Sequence, residues 1–244
     1  MTTSTTQQTV IPSAVSPADV ASVSPTLAHL TSSAIVGALW SRPALSQRDR
    51  ALVTSAALIA RAQTTGMAHY FQKALDVGVT PAELSETVLH MAFYAGWSNA
   101  FSAVAVLKDI YKARGIDEAQ LPPLDAPHLP TAQALPDNDF FMGLIEQNIR
   151  PFAPGMADFS VDLLYHDVWL RPALSPRDRA LISVVALIAQ GLRDFLGVYM
   201  ARGIAQGITR EQMGEVLTHT AFYAGWPTVV PCIAVVQQAY DNKA

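Results

Sequence analysis

The chain has 244 residues, of which 50% are hydrophobic and 15% charged, with a mean hydropathy of +0.23. Soluble domains carry about a quarter charged residues, so this composition implies a large core with further buried surface. A net charge of −4 and a pI near 5.8 argue against a nucleic-acid partner, and no apolar run approaches the roughly 20 residues that span a bilayer.

Residues 1–15 are rich in Ser, Thr and Gln and are expected to be mobile. The start shows no basic segment followed by an apolar one, so no secretory leader is read there. The lone Cys232 excludes an internal disulfide or a paired-thiol site, and a cytoplasmic location is expected. Ser16-Pro17-Ala18-Asp19 reads as a helix start with Pro at the first helical position, and Pro25 to about Ala38 as a second helix. Ser46-Gln47-Arg48-Asp49 has capping-box form and opens a helix through Leu52, Leu58 and Ile59. A helix from about Thr65 to Val77 stops at Gly78, a left-handed cap. Thr80-Pro81-Ala82-Glu83 caps the next helix, which carries His90 and ends at Gly96. A last helix runs to about Arg114. No stretch alternates as a strand would, so the reading is all-helical.

The pattern then repeats. Residues 40–111 align without a gap on 169–240, a spacing of 129 residues, with 29 identical pairs of 72. This is an internal duplication. It divides the chain into an N-terminal repeat at 1–114, a Pro-rich linker at 115–138 and a C-terminal repeat at 139–244. Residues 139–149 read as an amphipathic helix entering the second repeat. The most informative stretch is His90-Met91-Ala92-Phe93-Tyr94-Ala95-Gly96-Trp97, repeated as His219-Thr220-Ala221-Phe222-Tyr223-Ala224-Gly225-Trp226. At helical spacing Glu86, His90, Phe93 and Trp97 share one face and Leu84, Val88, Met91 and Ala95 the other. A surface helix has one apolar face. This one is expected to bury both, the second against a cavity or a partner.

His90 and His219 are the first candidates for acid–base chemistry, because imidazole exchanges protons near neutral pH and Glu86 or Glu215 lies one turn earlier. The competing reading is a hydrogen-bonded core histidine. His69 precedes Tyr70, and Val198 replaces it in the second repeat. Arg42 and Arg171 stand in turns beside Trp40 and Trp169, a placement for binding a carboxylate substrate; Tyr94, Trp97, Tyr223 and Trp226 complete the expected pocket walls. Arg48 and Arg177 read better as partners of the helix-start aspartates. No His or Cys grouping has metal-ligand spacing, and the glycines fall at helix ends instead of forming a phosphate loop. No metal and no cofactor are expected.

Trp-x-Arg-Pro-Ala-Leu-Ser-x-Arg-Asp-Arg, Ala-Leu-Ile-Ala, the Gly-x-Thr turn and Ala-Phe-Tyr-Ala-Gly-Trp together resemble the carboxymuconolactone decarboxylase family, over roughly 25–114 and 154–243. The resemblance implies a tandem duplication of an AhpD-like helical bundle that assembles as a homo-oligomer, here a pseudo-hexameric homotrimer. The peroxidase branch uses a Cys-x-x-Cys, whose positions hold Ala62 and Thr65, or Gly191 and Asp194, and its glutamate is replaced by Arg50 or Arg179. The resemblance therefore points away from a thiol peroxidase and towards the cofactor-free decarboxylase branch. On that branch His69 matches the histidine before the Gly-x-Thr turn, and Asp167 an aspartate ahead of Trp-x-Arg-Pro, where the first repeat has Ala38. Glutamine is expected where His90 and His219 stand. The implied activity is a lyase or isomerase acting on a small carboxylated lactone or enol-type metabolite, with His69, His90, Asp167 and His219 as catalytic candidates. Neither repeat holds both, so the site is either a composite of His69 and Asp167 where copies meet or a single one around His90 or His219; the composite is favoured, because oligomeric relatives are expected to place sites near subunit contacts. A peroxidase-like antioxidant protein and a non-catalytic binding protein are the rival readings.

Overall fold

The computed structural model describes residues 15–242; the segment 1–14, read above as mobile, lies outside the described residues. Helix α1 (Pro17–Val23) starts on the Ser16–Asp19 capping box. Helix α2 (Pro25–Leu30) passes into a wider helical turn at Thr31–Val36 instead of continuing regularly to Ala38. The Thr31 hydroxyl donates to the Leu27 carbonyl, and Ser32 and Ser33 both donate to that of His29. Such side-chain bonds compete with the backbone ladder.

Four helices follow in the first repeat: α3 (Gln47–Ala60), α4 (Thr64–Asp76), α5 (Pro81–Ala95) and α6 (Trp97–Arg114). The expected caps are present. Ser46 accepts from the Asp49 amide, and Thr80 forms a capping box with Glu83. Gly96, at φ 93° and ψ 151°, ends α5, an extended positive-φ conformation that is essentially confined to glycine and costs another residue about 1–3 kcal/mol. The linker contains α7 (Thr131–Ala134) and leads into α8 (Asn138–Leu144). The second repeat comprises α9 (Pro154–Phe159), α10 (Pro176–Gln190), α11 (Arg193–Ala205), α12 (Arg210–Ala224), α13 (Trp226–Val229) and α14 (Ile233–Asp241). Where the first repeat has one continuous α6, the second is broken between α13 and α14. Pro231 stands there in place of Ser102, and an interior proline removes a ladder hydrogen bond and clashes with the preceding turn. Among the described residues there is no strand, and no helix is long and apolar enough to cross a membrane.

Helices α3 and α10 form the centre. From Asp49 to Ala60 and from Asp178 to Ala189 every residue is buried, as expected for a helix that is apolar nearly all round. They pack on each other, and each also packs against the His-bearing helix of the other repeat: α3 against α12 and α10 against α5. At their N-termini Arg48 pairs with Asp178 and Arg177 with Asp49, both at 2.8 Å, a reciprocal exchange across a pseudo-twofold axis. The repeats are therefore units of sequence that share one hydrophobic core, not two bodies in space. The second face of α5 is covered from within the chain, by the other repeat.

Candidate active site

The exchange of helices builds two clusters, each from both repeats. In the first, α3 supplies Arg50 and Thr54, the preceding turn supplies Trp40 and Arg42, and α12 supplies Glu215, His219 and Tyr223. Glu215 is 4% exposed and accepts from Arg42 Nε at 2.7 Å and from Arg50 Nη2 at 3.0 Å. Arg50 Nη2 also donates to the Arg42 carbonyl at 2.7 Å, which fixes the turn that carries Arg42. Trp40 Nε1 donates to the Tyr223 hydroxyl at 2.9 Å. In the second cluster, Arg179, Ser183, Trp169 and Arg171 meet Glu86, His90 and Tyr94. Glu86 accepts from Arg171 Nε at 2.8 Å and Arg179 Nη2 at 2.7 Å, and Trp169 Nε1 donates to the Tyr94 hydroxyl at 3.0 Å.

Both histidines are 0% exposed, and their hydrogen bonds assign the tautomer. His219 Nδ1 lies 3.3 Å from Arg50 Nη1 and can only accept from it. Its Nε2–H therefore donates to the Thr54 hydroxyl at 2.8 Å, and that hydroxyl donates to the Arg50 carbonyl at 2.8 Å. His90 repeats the circuit with Arg179 at 3.5 Å, with Ser183 at 2.7 Å, and onward from Ser183 to the Arg179 carbonyl at 2.9 Å. Burial, reinforced by the Arg50 charge, pushes His219 down to about 3. Burial, then Arg179 and Arg202, push His90 well below its ordinary value. The rings are thus neutral near pH 7 and saturated with partners. This geometry supports orienting the arginine, in place of the proton transfer expected from the sequence.

The structure brings Trp40, Arg42 and Tyr223 together with His219, and Trp169, Arg171 and Tyr94 with His90. Trp97 and Trp226 fall outside both clusters, 50% and 54% exposed, packed on Phe93 and Phe222. Helical spacing places Trp97 on the His90 face only if the helix continues, and it breaks at Gly96. His69 and Asp167 are not joined. His69 sits edge-on to Tyr70 beside the first cluster. Asp167 belongs to the second, 3.0 Å from His128 and 3.7 Å from Arg171. Each composite site is instead made by helix exchange around Glu215 or Glu86. Several contributors escaped the sequence reading although they recur at the 129-residue spacing: Tyr70 and Tyr199, Lys73 and Arg202, and the hydroxyls Thr54 and Ser183. Among the described residues no group of His, Cys, Asp and Glu is placed to hold a metal ion, and Cys232 is buried and unpaired.

The carboxymuconolactone decarboxylase family model matches residues 25–109 and again 154–238. The 4-carboxymuconolactone decarboxylase of Acinetobacter baylyi is 35% identical over 96 residues, which is 39% of this chain and 72% of that protein. The nitrosuccinic acid decarboxylase of Metarhizium robertsii is 26% identical over 96 residues, 39% of this chain and 67% of that protein. The two stretches matched by the family model coincide with the two halves of the exchanged helix core, so the chain belongs to the carboxymuconolactone decarboxylase family and carries its domain twice.

Proposed function

We propose that the protein is a cofactor-free decarboxylase of a small carboxylated lactone or enol-type metabolite. The observation that supports this most is the fixed arginine pair on one buried glutamate, with Arg42 keeping half of its side chain exposed (53%). Decarboxylation requires a held carboxylate, an adjacent acceptor such as a carbonyl or nitro group that takes up the electrons left by departing CO2, and a proton delivered to carbon. Arg42 holds the carboxylate, anchored from behind by Glu215 and by the Arg50–His219–Thr54 circuit. Tyr70 and Lys73 border the same aromatic wall, Tyr70 stacked on Trp40 at 6.0 Å and Lys73 Nζ 4.4 Å from the Trp40 ring centre. They are the donors available to the developing oxyanion. His69, exposed and edge-on to Tyr70 with ring centres 4.8 Å apart, serves as proton donor. The two relatives described above are called decarboxylases, of 4-carboxymuconolactone and of nitrosuccinic acid. Incubation with each of these acids should release CO2, and Arg42→Ala should lower the rate about 10²-fold or more. Saturable binding of either acid with no CO2 release would leave a binding protein instead.

We further propose a homotrimer. Trp97, Phe101 and Val104 are exposed on α6, and Trp226, Val230 and Ile233 stand exposed at the same repeat positions. A groove of about 400 Å³ beside Trp226 is lined mainly by apolar side chains of α12 and α14. Apolar surface repeated on both halves suits closed symmetric assembly. Light scattering at micromolar concentration should give three times the chain mass of 26.2 kDa; a monomer would refute the assembly.

A further inference from the structure

The two clusters share a plan but differ in charge and cover. In the second, three cations face three carboxylates. Glu86 holds Arg171 and Arg179, Asp167 lies 3.7 Å from Arg171, and Asp137 accepts from Arg202 Nε at 3.0 Å. In the first, Arg42, Arg50 and Lys73 face Glu215 alone. Ala38 stands where the second repeat has Asp167, and among the described residues Lys73 has no carboxylate partner.

The cover differs in the same direction. Linker carbonyls of Pro123 and Leu124 accept from Arg171 at 3.0 and 3.3 Å, leaving its side chain 8% exposed. The linker backbone is tied to the same turn, Leu129 N donating to the Leu170 carbonyl at 2.8 Å. Arg202 is 0% exposed, enclosed by Phe141 at 3.9 Å, Trp169 at 4.3 Å and Tyr165 at 5.5 Å. In the first cluster Val36, the counterpart of Tyr165, is 65% exposed, and Lys73, the counterpart of Arg202, is only half-buried.

We propose that only the first cluster binds ligand, a small carboxylate anion received between Arg42 and Lys73 against Trp40, and that the linker has turned the second cluster into a structural clasp. A buried arginine already neutralised by an aspartate has no net field to offer an anion. An exposed arginine and an unpaired lysine beside an aromatic face do. The assignment rests on the decarboxylase reading for the anion class, but its test does not need turnover.

Calorimetric titration of the full chain with maleate, a rigid dicarboxylate, should give one site per chain. Lys73→Gln and Arg42→Gln change side chains at the surface, so both should remain folded, and each should weaken binding about 10–100-fold. Asp137→Asn, in the clasp, should lower the unfolding temperature and leave affinity and stoichiometry as in the wild type. Two maleate ions per chain, no saturable binding at millimolar maleate, or Lys73→Gln and Arg42→Gln that both titrate as wild type would overturn the assignment. One maleate per chain together with no CO2 release from any acid would keep the one-site assignment and refute the decarboxylase.

Discussion

Acidification from pH 6 to pH 5 is expected to reduce the unfolding free energy by about 2–3 kcal/mol. His90 and His219 dominate this range. In the unfolded chain each ring takes up a proton below about pH 6.5. In the folded chain His219 stays neutral down to about 3, and His90 is held well below its ordinary value by burial and then by Arg179 and Arg202. The unfolded state therefore binds more protons throughout the interval, and stability falls as pH falls. Glu215 adds to the loss at lower pH. Burial works to raise its pKa, but the hydrogen bonds from Arg42 and Arg50 outweigh this and hold it below the ordinary value. A depressed carboxylate stabilises above its unfolded pKa and loses that contribution as pH drops through the folded one. Urea unfolding at pH 7, 6 and 5 measures the slope, and His219→Asn should remove about half of it between pH 6 and 5. A flat stability profile over this range would show that the two rings are protonated in the native protein.

Replacing Glu86 by Gln should cost about 3–5 kcal/mol. Glu86 is the carboxylate between Arg171 and Arg179, whose side chains are 8% and 0% exposed; without its charge Arg179 stays buried with no carboxylate partner and Arg171 keeps only Asp167, 3.7 Å away. Glu215→Gln should cost less, because Arg42 can turn into water while Arg50 keeps its bonds to the Arg42 carbonyl and to His219. Thermal and urea unfolding of the two variants give the order directly. Equal losses, or a larger loss for Glu215→Gln, would contradict the difference in exposure between the clusters.

The helices were legible because their local chemistry agrees with the fold. Ser46 and Thr80 cap the helices expected of them, and Ser175 and Thr209 do the same at the equivalent positions 129 residues on, so the repeat predicts the second half from the first. What covers the His90 face was not legible. Helical periodicity tells that a face is buried, not which segment covers it, and the reciprocal packing of α5 on α10 and α12 on α3 leaves no local signal. Lys73 and Arg202 were overlooked for a related reason. Each looks like an ordinary cation on a helix, and only the enclosing Phe141, Tyr165 and Asp137, distant in sequence, make Arg202 part of a sealed cluster. The wide turn at Thr31–Val36 was not legible because apolar periodicity does not separate a short i→i+5 turn from the α-helix that it continues; the same turn recurs at Ser160–Tyr165 with a different sequence.

Helix exchange between repeats has a consequence for what fusion permits. Two separate copies of one domain, joined by the same exchange, would associate in a concentration-dependent way and lose their shared core on dilution. A covalent connection makes that association intramolecular, with an effective concentration in the millimolar range for a short tether. It also breaks symmetry. In a true twofold dimer every substitution appears on both sides, so a residue that closes one site closes the other. Here Val198, Asp167 and Arg202 occupy one half while His69, Ala38 and Lys73 occupy the other, and the connecting segment reaches only one of them. One half is thereby free to specialise in holding the molecule together while the other keeps an opening to solvent.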